Sequence, residues 1–182
     1  MPKISASAWR SRLSRVRLVL MDVDGVLTDG RIFHFVDTGG QLVEFKGIHA
    51  QDSIGLSWLA QSGFKTGIIS GRISQGVAER MKMLGMSYVY QHRLDKKAVF
   101  EEICRDARAQ PREALYIGDD LPDLPVLRAV GAAVAVANAR PEVLAAAHWV
   151  TRRPGGDGAV REVAEALLHA QRLWGRILAK FH

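Results

Sequence analysis

The sequence predicts an α/β fold, a Rossmann-like parallel sheet with helices on both faces, plus a β-hairpin inserted after the first strand. Three observations predict it. Short apolar runs alternate with helical patterns almost throughout the chain, the signature of βαβ units. Two of those runs end in acidic loops and a third in Ser70-Gly71-Arg72, and strands of a parallel sheet deliver such loops to one edge. One pair of β-rich runs instead brackets Asp37-Thr38-Gly39-Gly40, a hairpin signal.

The elements follow in order. Val16 to Met21, continuously apolar from Leu18, reads as a buried strand. Arg31 to Phe35 and Leu42 to Phe45 are the arms of the hairpin, and Ile54 to Leu59 reads as helix with Gly63 as its cap. Phe64 to Ile69 is a second apolar strand, and Ser74 to Leu84 has helical spacing and stops at Gly85. Tyr88 to Tyr90 is a short strand. Ala98 to Ala109 is a helix closed by Pro111. Ala114 to Ile117 is a strand running directly into Gly118-Asp119-Asp120. Leu124 to Val130 is a helix ending at Gly131, and Ala132 to Ala137 is a strand. Pro141 opens a helix to Ala147 from its first position. Trp149-Val150 is a short strand, Gly155 to Gly158 a loop, and Val160 to Leu178 one long terminal helix. The connections should be right-handed.

The 182 residues suit a single domain over 1–182, with a hairpin flap at about 30–46 and a C-terminal tail at about 154–182. Hydrophobic content of 48% and charged content of 24% are ordinary for a soluble globular chain. No apolar run reaches the roughly 18 residues a membrane helix needs, and the basic stretch Met1 to Arg17 lacks the apolar block of a signal peptide. The single cysteine, Cys104, excludes an internal disulfide, suits a reducing compartment and reads as a packed thiol. The formal charge of +6 would suit an anionic small molecule, nucleic acid or an anionic membrane, and is equally compatible with no charged partner. The only dense basic cluster, Arg10, Arg12, Arg15 and Arg17, has little aromatic company, so it reads as a solvated terminus rather than a nucleic-acid site. Neither a nucleic-acid nor a membrane partner is expected.

The stretch Leu18 to Gly30 places Asp22, Asp24 and Asp29 at the end of an apolar run. Crowded carboxylates repel, so they need a cation, shared protons or exposure. A second acidic loop, Asp119, Asp120 and Asp123, would converge with the first on one sheet edge, beside Ser70 and nearby lysines. Hard oxygen donors without a His or Cys cluster suit Mg²⁺ rather than zinc.

Asp22-Val23-Asp24-Gly25-Val26-Leu27-Thr28-Asp29-Gly30 resembles the first motif of the haloacid dehalogenase superfamily of phosphatases. Ser70 matches its second motif, Lys96 its third, and Gly118-Asp119-Asp120 with Asp123 its fourth. The stretches from Asp24 to Ser70 and from Lys96 to Asp119 are too short for a large cap domain. The chain is therefore similar to the capless branch, and within it to phosphatases of 3-deoxy-D-manno-octulosonate 8-phosphate. The hairpin insert, His49 to Gly55, Leu94-Asp95-Lys96, Tyr116 to Asp120 and Gly155 to Glu162 carry that similarity.

The resemblance implies a mechanism and its residues. Asp22 is the expected nucleophile, forming an aspartyl-phosphate, and Asp24 the general acid and then base. Mg²⁺ would be held by Asp22, the Asp24 main-chain carbonyl and Asp119. Ser70 and Lys96 would grip the phosphoryl group, Asp120 would orient Lys96, and Asp123 would hold a metal-bound water or cap the next helix. Adjacent helical residues point about 100° apart, so only one of Lys96 and Lys97 should face the site, and the Leu94-Asp95-Lys96 match to the family favours Lys96. Gly25, Gly71, Arg72 and Arg161 are the expected substrate contacts, with Arg72 suited to a carboxylate. Asp52 reads as a helix cap, His34 and His49 as weaker substrate-side candidates, and Trp58 and Trp174 as core or interface residues.

The resemblance also implies a phosphorylated sugar-acid substrate, a homotetramer built through the hairpins, and a cytoplasmic place in lipopolysaccharide synthesis. Two rivals stand beside it. Ser53 replaces an expected glycine, as in relatives acting on nine-carbon ulosonate 9-phosphates. A non-catalytic oligomerisation or regulatory domain is the other, which the intact set Asp22, Asp24, Ser70, Lys96 and Asp119 argues against.

Overall fold

A computed structural model describes residues 4–181; Met1 to Lys3 of the basic terminus lie outside it. The chain builds α1 (Ala6–Leu13), β1 (Leu18–Met21), β2 (Phe33–Val36), β3 (Leu42–Phe45), α2 (Ala50–Gln61), β4 (Lys65–Ile69), α3 (Gln75–Met83) and β5 (Tyr88–Tyr90). It continues with α4 (Lys96–Ala107), β6 (Ala114–Gly118), α5 (Leu124–Leu127), β7 (Ala132–Ala135), α6 (Pro141–Ala146), β8 (Trp149–Val150), α7 (Ala159–Ala170) and α8 (Trp174–Leu178).

Six strands form one parallel sheet in the order β5-β4-β1-β6-β7-β8. Every residue of β1 is buried, as a central strand covered on both faces requires. The chain leaves β1 toward β4 and returns on the other side at β6. The carboxyl ends of β1, β4 and β6 therefore surround a topological switch point, where open α/β sheets hold ligands. β2 and β3 pair only with each other, Phe33 opposite Phe45 and Val36 opposite Leu42. Asp37 Oδ1 closes their turn by accepting from the amides of Gly39 and Gln41 at 2.9 and 2.8 Å.

Three elements depart from the sequence reading. The basic N-terminus is a docked helix rather than a solvated arm: Trp9 and Leu13 are buried, and Trp9 lies 5.5 Å from the Trp149 ring. α4 starts at Lys96, because Asp95 caps it by accepting from the Ala98 amide at 3.1 Å. The long terminal helix is broken into α7 and α8. Arg172 takes a left-handed φ of 60°, the Leu173 amide returns to the Leu168 carbonyl at 2.8 Å, and Gln171 Nε2 donates to the Leu13 and Val16 carbonyls at 2.9 and 2.7 Å. That C-terminal turn uses no glycine or proline, so the sequence carried no stop signal there.

Candidate active site

β1 ends at Met21 and the chain turns at once. The Asp22 amide donates to the Ile117 carbonyl at 3.0 Å, extending the β1–β6 pairing into the loop, and the Leu27 and Thr28 amides return to the Val23 carbonyl at 3.0 Å. Gly25 takes φ +97°, and a Cβ there would overlap the Asp119 carboxylate. Glycine is thus required twice, for the left-handed backbone and for the space. Gly155 and Gly156 press on the same loop from behind; side chains there would strike the Gly25 carbonyl and the Asp29 amide.

Asp22 is buried beside Lys96, whose ammonium lies 2.8 Å from Asp22 Oδ1 and 2.7 Å from Asp123 Oδ1. Burial pulls the Lys96 ammonium down, but Asp22 and Asp123 outweigh it and hold it above its ordinary range. Lys97 points outward and meets Glu101 at 3.9 Å. Burial pushes the Asp22 carboxyl up to about 6 against the pull of Lys96, with Asp123 adding to the rise. Asp123 is fully buried and heavily used. Its Oδ1 also accepts from the Tyr116 hydroxyl at 2.7 Å, and its Oδ2 accepts from the amides of Asp119 and Asp120 at 2.9 and 3.3 Å. Asp120 is exposed and caps the following turn through the Leu121 amide at 2.7 Å.

Asp22, Asp119 and Asp123 each offer an oxygen within 4.8 Å of the others. Burial, then Asp22 and Asp123, push the Asp119 carboxyl up to about 8. Its Oδ1 is buried without a hydrogen-bond partner. A buried orphan oxygen among carboxylates is the arrangement that a hard cation relieves. Asp123, with four donors already, has the least to offer such a cation; Asp22 and Asp119 have the most.

The hairpin reaches into this edge. Lys46, just past β3, has a side chain only 2% exposed, and its ammonium lies 2.7 and 2.9 Å from the two Asp24 oxygens and 3.3 Å from Glu44. Arg72, on the loop after β4, donates to Glu44 at 2.8 Å and lies 3.8 Å from Asp24. Asp24, Lys46, Glu44 and Arg72 thus close a ring of alternating charge across three loops. Burial works to raise the Glu44 carboxyl, but Arg72 and Lys46 hold it below its ordinary range. Ser70 is buried at the end of β4, and its hydroxyl accepts from the Arg72 amide at 3.2 Å.

A haloacid dehalogenase-like hydrolase profile matches residues 83–163. The 3-deoxy-D-manno-octulosonate 8-phosphate phosphatase of Yersinia pestis is 42% identical over 160 residues, covering 88% of this chain and 83% of that protein. This chain belongs to the 3-deoxy-D-manno-octulosonate 8-phosphate phosphatase family of haloacid dehalogenase-like hydrolases. It is, by that membership, a phosphoric monoester hydrolase. Solved structures of the family agree. The Moraxella catarrhalis phosphatase, crystallised with magnesium ion, phosphate ion and KDO, superposes with a TM-score of 0.92 at 36% identity, over 98% of this chain and 100% of that one. A cobalt-bound Haemophilus influenzae phosphatase superposes at 0.82 with 34% identity, over 88% and 92% of the two chains. Among the described residues no large cap interrupts the family fold.

The structure brings Asp22, Asp24, Gly25, Asp119, Asp123 and Lys96 together, with Ser70, Gly71 and Arg72 on the adjoining loop. Two expected roles are corrected, those of Asp120 and Asp52, and Arg161 is placed against other partners in its own chain. Asp120 does not orient Lys96, because it faces solvent and Asp123 does that work. Arg161 makes its contacts elsewhere: Nε meets Glu165 at 2.6 Å and its guanidinium lies 3.9 Å over the Trp58 ring. Asp52 is a cap, but of α7 rather than its own helix, accepting from the Gly158 and Arg161 amides at 3.2 and 2.7 Å. His49 caps α2 through the Gln51 amide, and His34 lies 3.7 Å from Glu44. Glu44, Lys46 and Tyr116 escaped the sequence reading. The only signal for the first two was the charged pair interrupting an apolar hairpin arm. Tyr116 opens a stretch similar to the family but carried no role of its own, since it reads as one more strand residue.

Proposed function

We propose that the chain hydrolyses the phosphate monoester of 3-deoxy-D-manno-octulosonate 8-phosphate through an aspartyl-phosphate on Asp22, with Mg²⁺ as cofactor. One observation carries the reading. A buried carboxylate stands at the end of the central strand, paired with a buried lysine and beside an aspartate whose buried oxygen lacks a partner. Family members that share over a third of the sequence bear names for this reaction, and one was crystallised with magnesium, phosphate and KDO.

The steps use the chain's own groups. An Asp22 oxygen attacks phosphorus and the bond to the sugar oxygen breaks; Asp24 supplies the proton that the sugar oxygen takes. Water then attacks phosphorus, the bond to Asp22 breaks, and Asp24 takes the water's proton. Lys96 balances phosphoryl charge, and the Ser70 hydroxyl and the loop through Gly71 hold its oxygens. Arg72 and Gly25 face the substrate. Asp22, Asp119 and the Asp24 main-chain carbonyl are the proposed metal holders, with Asp123 behind them. The bound cation neutralises the carboxylate cluster and the incoming phosphate.

We read the whole chain as one catalytic unit that assembles as a homotetramer in the cytoplasm. Phe33, Phe35, Val36, Leu42 and Phe45 are exposed on the hairpin, which supports self-association there.

The test is phosphate release with Mg²⁺ from a panel of sugar phosphates that includes eight- and nine-carbon acids. The eight-carbon acid should be preferred, and Asp22→Asn should release nothing above background. A nine-carbon preference overturns the substrate; release by Asp22→Asn overturns the mechanism.

A further inference from the structure

The reaction needs nothing obvious from the hairpin, yet the hairpin sends a nearly buried lysine to Asp24. Lys46 Nζ lies within 2.9 Å of both Asp24 oxygens. Its place is fixed from two sides. β3 is held in register by β2, and Glu44, two residues back, ties Lys46 at 3.3 Å to Arg72 at 2.8 Å on the β4 loop. Each of the two cations meets both carboxylates, so the four groups brace one another across three separate chain segments. A carboxylate on a turn has free rotation about its last torsions; this ring removes it.

We propose that Lys46 is a positioning residue that orients the Asp24 carboxylate for hydrolysis of phosphorylated Asp22. The inference rests on the reading of Asp24 as acid and base. In the step concerned, the water oxygen bonds to phosphorus, the phosphorus–Asp22 oxygen bond breaks, and the water's proton passes to Asp24. An oxygen of Asp24 must face that water, and displacements near 1 Å in such groups cost about 100-fold in rate. The hairpin therefore acts on turnover through one side chain.

The test uses the full chain with Mg²⁺ and p-nitrophenyl phosphate, whose leaving group departs without a proton. Lys46→Met keeps the stem and removes the charge. It should release a burst of about one nitrophenolate per active site and then turn over roughly 10–100-fold more slowly, while kcat/KM, which reports only the first step, stays within about threefold. Lys46→Arg should restore most of the turnover. Glu44→Gln, which loosens the brace without touching Asp24, should give the same burst with a smaller loss. Asp24→Asn should give the burst with turnover at least as slow as in Lys46→Met. Loss of kcat and kcat/KM together without a burst, or normal turnover in both Lys46→Met and Glu44→Gln, overturns the proposal. A burst in Asp24→Asn but not in Lys46→Met overturns it alone; no burst in Asp24→Asn overturns the role of Asp24 and the proposal with it.

Discussion

Replacing Tyr116 with phenylalanine removes one oxygen from the network beneath the site and leaves the ring in place. The side chain is fully buried in β6, and its hydroxyl donates to Asp123 Oδ1 at 2.7 Å. The partner is a buried carboxylate, and a hydrogen bond to a charged group contributes about 1.5–3 kcal/mol. No water reaches the vacated place cheaply, so the loss should fall in that range. For a chain of this size it corresponds to a fall in Tm of roughly 3–12 °C. Activity should suffer less. Asp123 keeps Lys96 at 2.7 Å and the amides of Asp119 and Asp120, which are the contacts that set the catalytic loop. Urea unfolding of the two proteins at one pH, with kcat measured on the same samples, reads both quantities. A stability loss under about 0.5 kcal/mol would mean the bond contributes no more than an ordinary surface contact. A collapse of kcat with little change in stability would mean that Tyr116 acts on the reaction directly.

Three further outcomes are expected. Asp22 and Asp119 are raised to about 6 and about 8 in the metal-free protein, so above the ordinary carboxylate range the native state holds protons that the unfolded chain has lost. Their stabilising contribution is present below about pH 4 and is lost as pH rises toward 8; Mg²⁺ must displace those protons, so the Mg²⁺-induced rise in Tm should grow between about pH 5 and 8. A rise in Tm that does not change with pH would refute this. Gly25→Ala forces a Cβ onto the Asp119 carboxylate in a left-handed backbone, and calorimetric titration should show Mg²⁺ binding weakened by about tenfold or more. Phe35→Asp on the open hairpin face should shift the mass seen by light scattering to a smaller species, with the far-UV circular dichroism unchanged.

The sheet was legible because its strands are short apolar runs broken by punctuating residues, and because β1 and β6 run straight into carboxylates. The convergence of the candidate site residues on one edge was legible for the same reason: parallel strands bring their carboxyl ends together whatever lies between. Features set by tertiary contact were not. Nothing local marks Arg172 as a left-handed residue; the break after α7 is held by Gln171 reaching back to Leu13 and Val16. Lys46 and Glu44 look like ordinary charges on an exposed arm until the hairpin folds over Asp24. Asp52 reads as a cap of its own helix and Arg161 as a substrate contact, whereas the bond from the Arg161 amide to the Asp52 carboxylate ties α2 to α7. Asp123 showed two alternative roles in the sequence, water holder or helix cap, and in the structure its buried carboxylate accepts from Lys96, Tyr116 and two amides.

The seal behind the Asp22 loop has a consequence for the order in which the protein is made. Gly155 and Gly156 lie against the Gly25 carbonyl and the Asp29 amide, the Gly156 amide donates to the Val26 carbonyl at 3.0 Å, and Asp52 caps the helix that follows. Asp22 precedes by more than a hundred residues the segment that fixes its loop, so it leaves the ribosome well before it. A nascent chain carries Asp22 long before it carries the backing that shapes the turn. The shape of the Asp22 loop is therefore completed late, once the chain has been made through Gly156 and has folded back against residues 25–29.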